Sequence, residues 1–537
     1  MNRLCSLRVL LSLGALLAGA AQCELADGHD APARERASQV NIRPVTAKDL
    51  LQPAGNEWLS YHGDYSGDHF STLTQITTDN VKSLTRAWTS NVDPTQAPHG
   101  RISSGLIMRS DVIFFTSDVD AYAVDARSGK QLWHYVAAMS DGISNRGFSI
   151  GGDRLFVIYN SGLVALQAAT GKEIWSKRIG NTTPMAPLVV RDHVYAVSGG
   201  DIADTRGSIE SRNAKTGERE WIFYIVPKEG ELGFNTWISE EAAARGNGAP
   251  WQTPTYDPKT NLLFVGTGNP TPIKNGRMRP GDNLFTDSVV ALNADTGKLA
   301  WYFQTTPHDD HDWDNNQVMA LADVTIAGKP RQIVTWVSRN GYQFTLDRNT
   351  GENLVTAKVG RDVNWAMPRL RSNGIPEKNE NKAPSRGGSL VSPDSSGLVN
   401  WQAQSYSPVT GLHYANIFNN HSVFYWKGES FLSDTRASLR ASDPLTGKVV
   451  WQHDYLQVPL QDSVRNSSVL STAGGLLFTG DVSGNFIAYD AKSGKILWHD
   501  ELPGNATVSG VPISFSSHDW QYIVVPAGPR LIAYRLQ

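Results

Sequence analysis

Cysteine is almost missing from this chain: only Cys5 and Cys23 occur in 537 residues. With Cys5 lost in a cleaved leader, no intramolecular disulfide could form. A CxxCH sequence is missing as well, which excludes a covalently attached c-type haem, so electrons handled by the protein are expected to leave on a separate carrier such as a soluble cytochrome c. Positive charge is not in surplus either. The 49 Lys+Arg face 52 Asp+Glu, for a formal net charge of −3, and such a chain is ill suited to neutralise nucleic-acid phosphates or a membrane surface. Long apolar runs are scarce. The one candidate, VLLSLGALLAGAA at 9–21, is short for a bilayer span, follows Arg3 and Arg8, and contains the small residues Ala18-Gly19-Ala20. That is the build of a secretory signal peptide over about 1–23, which places the mature protein in the periplasm. Gln22 is a poor residue to precede a lipidated Cys23.

What is abundant is glycine and aromatics: 48 Gly, 16 Trp and 17 Tyr favour strands joined by tight turns. One phrase recurs. It reads AVDARSGKQLW (123–133), ALQAATGKEIW (165–175), SRNAKTGEREW (211–221), ALNADTGKLAW (291–301), ASDPLTGKVVW (441–451) and AYDAKSGKILW (488–498). TLDRNTGENLV (345–355) is a degenerate copy with Val355 in the tryptophan place. In each, an apolar strand ends at an Asp/Asn-x-x-Thr/Ser-Gly turn and the next strand runs to a Trp large enough to reach a neighbouring unit. Self-similarity at this spacing marks a repeat architecture. Seven copies, plus a last strand at 531–534 able to pair with residues near Trp88, predict an all-β, eight-bladed β-propeller over 58–537, preceded by an N-terminal extension at 24–57. The stretch 372–396, rich in Asn, Lys, Pro, Ser and Gly, reads as a surface loop.

Several further stretches carry a family resemblance. The opening WLSYHGDYSGDHFSTLTQITTDNVKSL (58–84), GTGNP (266–270), PGDNL (280–284), TPHDDHDWDN (306–315), SRNGYQFTLDR (338–348) and NWQAQSYSPVTGLHY (400–414) occur in that order. Together they resemble the pyrroloquinoline-quinone (PQQ) alcohol dehydrogenases, from about Trp58 to the C-terminus. The resemblance implies PQQ on the propeller axis beside one Ca²⁺ or lanthanide ion, and an alcohol as substrate. On matching motifs it assigns Asp312 as the proton-accepting base. It assigns Asn269, Asp312, Asp314 and Asp201 to the metal, with Asp314 as the additional carboxylate of lanthanide-dependent members. It places Trp251 under the quinone ring, Arg339 and Arg146 on its oxygens and carboxylates, and Thr183, Ser198 and Asn400 as polar contacts. These assignments agree with what the residues can do. A hard cation takes carboxylate and amide oxygens, and the guanidinium fork suits a tricarboxylate.

The four carboxylates at Asp309, Asp310, Asp312 and Asp314 repel one another unless water or a cation compensates them. Two of them, Asp309 and Asp310, read as a solvated acidic turn, and His308 and His311 as structural hydrogen-bonders. The chain also departs from the family pattern. Ser140-Asp141 replaces an adjacent cysteine pair, Asp201 replaces a glutamate, and an acidic contact is lost near Ile102. The competing expectation is a noncatalytic propeller scaffold, which has no use for carboxylates on the axis.

Overall fold

A computed structural model describes residues 40–90, 101–117, 120–136, 146–159, 161–181, 183–199, 205–432, 435–455 and 467–537. The stretch 1–23 expected to be a signal peptide, Ser140-Asp141 and Asp201 lie outside the described residues. Strands dominate; the only α-helices among the described residues are Ala47–Leu50 and Glu240–Ala244. Seven four-stranded sheets and one five-stranded sheet carry the fold. Six of them run in chain order over 107–136, 149–178, 188–224, 255–304, 320–358 and 405–454. The seventh joins 470–501 to Phe70–Ser71, and the eighth joins 513–536 to Leu84–Thr89. In that last sheet Trp88 lies opposite Ala533, so the first long strand pairs with the final one, as the sequence suggested.

Burial explains the strand composition. An inner strand such as Val112–Thr116 (VIFFT) is buried throughout, because sheets cover both of its faces. An outer strand such as Glu173–Arg178 is largely exposed, and its side chains alternate. The repeated turn then locks each sheet to the next. Asp125 Oδ1 accepts the N–H groups of Arg127 and Ser128 at 3.1 and 2.9 Å. Gly129 follows with φ of 68°, and a Cβ there would come within 2.5 Å of the Trp88 ring. The Trp88 indole N–H donates to the Ala126 carbonyl at 3.0 Å. So Trp88 lies on the next turn's glycine and bonds a carbonyl beside it. The arrangement repeats for Trp133 with Ala168, Trp221 with Ala294, Trp301 with Arg348 and Trp451 with Ala491. Trp498 donates to Leu84 in the sheet holding the first long strand. Trp175 stacks on Gly217, but its N–H finds no partner among the described residues. At the degenerate copy the place of the ring is taken by Ala357, which faces Gly447.

In a four-stranded meander the first and third turns leave at one end. The second turn and the crossing to the next sheet leave at the other. The tryptophan phrase makes the third turn, so its end is sealed by short loops. The long connections, 225–254, 267–287, 305–319 and 359–404, all belong to the opposite end. The segment 372–396 is more than a surface loop: it includes strands Pro376–Lys378 and Ser389–Val391, the latter paired with Ser422–Tyr425. Near the N-terminus, Tyr61 packs with Ala186, Val318, Ala403 and Val511. Each of those four residues stands two positions before the first long-sheet strand of a different sheet, which puts Tyr61 on the central axis.

Candidate functional site

The acidic stretch at 309–314 lies in the connection after Leu299–Gln304. Three of its four carboxylates are buried: Asp309, Asp310 and Asp314 are 1%, 4% and 6% exposed, while Asp312 is half-buried. That corrects the reading of Asp309 and Asp310 as a solvated turn, and the reason is local. Asp309 Oδ1 accepts the His311 N–H, and Oδ2 accepts those of Asp312 and Trp313, at 2.9–3.0 Å. Asp310 is held between Lys378 Nζ and His311 Nδ1, each at 2.8 Å. Burial alone would raise its pKa, but these two partners outweigh it and keep the carboxyl well below the usual range. The His311 ring stacks on Trp313 at 4.4 Å, and the Trp313 N–H donates to the Asp394 carbonyl. His311 is therefore a structural hydrogen-bonder, as expected. On this frame Asp312 stands with φ of 74°, a left-handed conformation that a non-glycine residue adopts only when its surroundings impose it.

Asp314, Asn269 and Arg339 meet beside it. Asp314 Oδ1 accepts the Asn269 backbone N–H at 2.7 Å, while Oδ2 pairs with Arg339 Nη1. The Asn269 side-chain oxygen faces only acceptors. With its amide turned over, Nδ2 would lie 2.7 Å from Asp314 Oδ1 and 3.3 Å from Asp312 Oδ1. Three oxygens on one small volume is the donor set of a hard cation. Among the described residues no group of three or more His, Cys, Asp or Glu is placed to hold a metal. The candidate set is thus two carboxylates and an amide, and the residues present fit such an ion.

The second half of the site is aromatic and cationic. Arg146 is nine-tenths buried, its Cζ 5.4 Å from the Trp251 ring centroid and 4.5 Å from that of Trp401. Its Nε donates to the Pro184 carbonyl at 2.8 Å, and the Tyr61 hydroxyl sits beside it. Among the described residues no carboxylate pairs with it. Burial pulls its pKa down to about 10, with Tyr61 opposing. A buried cation without an anion is costly, so this place suits a flat, anionic group. Thr183 donates to the Pro250 carbonyl beside Trp251. Asn400 bonds Ser396 and the Trp401 N–H. Ser198 shares a hydrogen bond with Ser208 and is the loosest member of the set. The halves touch: a Cβ on Gly268 would meet Ala249 O at 2.6 Å and Asp314 Oδ1 at 2.9 Å, and the Trp251 N–H donates to Asn316. Ile102 lies in the core; its backbone bonds Gly528 and Ser509, and its side chain offers no polar contact. The sequence reading missed Trp401, although it directly follows Asn400, and assigned no role to Tyr61.

The family model described as "Glucose/ethanol/alcohol dehydrogenase, beta-propeller domain" matches residues 58–361. The chain belongs to this family. A second model, "Outer membrane protein assembly factor BamB", matches 286–455 and 435–534. The chain is similar to the quinohemoprotein alcohol dehydrogenase ADH IIB of Pseudomonas putida, with 33% identity over 525 residues, 89% of this chain and 74% of that protein. It is 30% identical over 539 residues to the lanthanide-dependent methanol dehydrogenase of Methylacidiphilum fumariolicum, covering 89% of this chain and 85% of the other. Among solved structures, the quinohemoprotein alcohol dehydrogenase of Comamonas testosteroni superposes with a TM-score of 0.83 at 27% identity, over 92% of this chain and 82% of that one.

Proposed function

We propose that this protein is a PQQ-dependent alcohol dehydrogenase that oxidises a primary or secondary alcohol to the aldehyde or ketone. The observation that carries the reading is Arg146, a buried guanidinium set against Trp251 and Trp401 with no carboxylate partner among the described residues. PQQ would answer it with a planar ring and carboxylates. Asn269, Asp312 and Asp314 would hold one Ca²⁺ or lanthanide ion, with Asp201 as a further ligand. Bound PQQ supplies the acceptor for a hydride, and the cation a Lewis acid for that transfer. The chain's own residues do the rest. Asp312 takes the hydroxyl proton as the carbinol hydrogen leaves carbon with the two electrons of its C–H bond. Asp309 fixes the Asp312 backbone, and Arg339 holds Asp314 in place. Thr183, Ser198 and Asn400 complete the polar rim.

The same reading includes an eight-bladed ring over 58–537, after a signal peptide at 1–23 and an extension at 24–57. What supports it is the tryptophan order, running from Trp88 through Trp133 and onward to Trp498, which returns to Leu84. It also includes a periplasmic location and a separate acceptor such as a soluble cytochrome c; no helix among the described residues is long and apolar enough to cross a membrane. A noncatalytic scaffold is the second reading, favoured by the BamB match at 286–455 and 435–534. The test is reconstitution with PQQ and Ca²⁺ or La³⁺, followed by dye reduction across an alcohol panel. Alcohol-dependent reduction that is lost in Asp312→Asn supports the enzyme; no reduction with any alcohol leaves the scaffold.

A further inference from the structure

One buried acid has no part in the site described so far. Asp287, the last residue of the connection at 267–287, is fully buried, and neither carboxylate oxygen has a hydrogen-bond partner among the described residues. Burying a carboxylate without a partner costs stability. The backbone does not require one. Asp287 has φ of 48°, a left-handed conformation that Gly or Asn would meet without bringing a charge. The conformation therefore accounts for a small polar residue at this position, and not for its charge.

The surroundings do account for it. The Asp287 N–H donates to the Gly268 carbonyl at 3.0 Å, and Gly268 precedes Asn269, whose own N–H donates to Asp314 Oδ1 at 2.7 Å. The Asp287 carbonyl accepts both the N–H and the hydroxyl of Thr305, each at 2.8 Å. Thr305 opens the connection that carries Asp312 and Asp314, so Asp287 ties together the two loops that supply the candidate cation ligands. The charges around it do not balance. Asp309 and Asp314 repel its carboxylate while Arg279 and Arg339 attract it, and burial with the repulsion holds the carboxyl well above the usual range. Both guanidiniums are engaged elsewhere. Arg339 bonds Asp314 and the Ser395 carbonyl. Arg279 bonds the carbonyls of Pro272, Ile273 and Asp309 and the side chain of Asn283. Asp310 is matched by Lys378. Counting Asp312, four carboxylates face two guanidiniums here, and the two negative charges left over equal the charge of one divalent cation.

We propose that Asp287 sets the charge preference of the cation site, as a further buried anion that a bound cation answers and that draws a trivalent ion more strongly than a divalent one. This rests on the cation site of the dehydrogenase reading. The test is isothermal titration calorimetry of Ca²⁺ and of La³⁺ into the full chain with PQQ present, comparing the wild type with Asp287→Asn. That variant keeps the shape and suits the left-handed backbone, but removes the charge. Coulomb energy scales with the charge of the ion, so a loss of about tenfold for Ca²⁺ should accompany one of about thirtyfold for La³⁺. Without metal, Asp287→Asn should melt no lower than the wild type, because a costly charge is gone; a residue kept only for the fold would give the opposite. Asp287→Gly repeats both measurements with no side chain to bury, and the same ordering of the two ions is expected. A La³⁺ loss no larger than the Ca²⁺ loss, or both variants melting lower without metal, overturns the proposal. Failure of the wild type to bind either ion overturns it together with the cation site. The expected ordering without oxidation of any alcohol overturns the dehydrogenase reading and leaves the role of Asp287 standing.

Discussion

The two ends of the propeller are built on opposite principles. At one end the turns are short and near-identical, each spending its Asp, Gly and Trp on docking one sheet to the next. At the other end the connections run to tens of residues, no two alike, and they bury charge as well as apolar surface: Arg146, Asp309, Asp310, Asp314 and Arg339 are all less than a tenth exposed. A repeat that guarantees stability at one end lets the other carry groups that cost stability. Buried ions and a left-handed Asp312 persist because the rest of the ring over-determines them.

The sharpest way to break this contrast is to remove the last strand. Removing residues 530–537 strips the partner from Leu84–Thr89 and exposes the Ile523–Val525 core. The expected result is loss of the cooperative thermal transition; an unchanged melting temperature would refute closure through the C-terminus. Next in size, Asp312→Asn keeps the hydrogen-bonding shape and removes the proposed base. Turnover should fall by about 10²–10⁴ while the melting temperature moves little. Trp133→Ala should do the reverse, costing about 3–5 kcal/mol in denaturant unfolding with little effect on turnover per folded molecule. If either variant changes both properties equally, the division between the ends is wrong.

A fourth effect is set by pH. On the axis below Tyr61, His62 Nδ1 lies 3.2 Å from His69 Nε2, and His62 Nε2 lies 3.2 Å from the Thr253 carbonyl. A neutral pair satisfies both contacts. Burial lowers the pKa of His62 to about 4, and burial together with His62 holds that of His69 well below its usual value. Between the unfolded value of about 6.5 and pH 4 the unfolded chain therefore binds protons that the folded chain does not. Stability should fall as pH drops through that window, by about 1.4 kcal/mol per pH unit per histidine. Urea unfolding at pH 7 and pH 5 checks it, and a His62→Asn chain should lose part of the slope. The smallest effect is that of Asp314→Ala, which should weaken activation by La³⁺ more than by Ca²⁺, since the higher charge depends more on an added anionic oxygen. Equal activation would reduce Asp314 to the partner of Arg339.

The same contrast explains what could be read before the structure. The docking end was legible because its physics is local: a turn aspartate, a positive-φ glycine and a tryptophan fall within eleven residues. Asp312, Asp314, Asn269, Arg339, Trp251 and Arg146 were legible only as motif positions, and the structure brings them into two adjoining clusters. The misread residues are those whose role is set across the fold. Asp309 and Asp310 look like turn residues until Lys378 and the backbone of 311–313 close on them. Trp401 meets Arg146 from 255 positions away, and Tyr61 acts by touching four sheets at once. No local pattern announces such contacts.

The central claim is that Arg146 and its two indoles wait for a flat anion. A fluorescence titration of the full chain with PQQ, in the presence of Ca²⁺, tests it by following quenching of the tryptophan emission in the wild type and in Arg146→Leu. Removing one partner of a buried charged pair costs about 2–5 kcal/mol. The wild type is therefore expected to bind one PQQ per chain, and the variant to bind at least about thirtyfold more weakly. Equal affinities, or no saturable quenching in the wild type, would contradict the account.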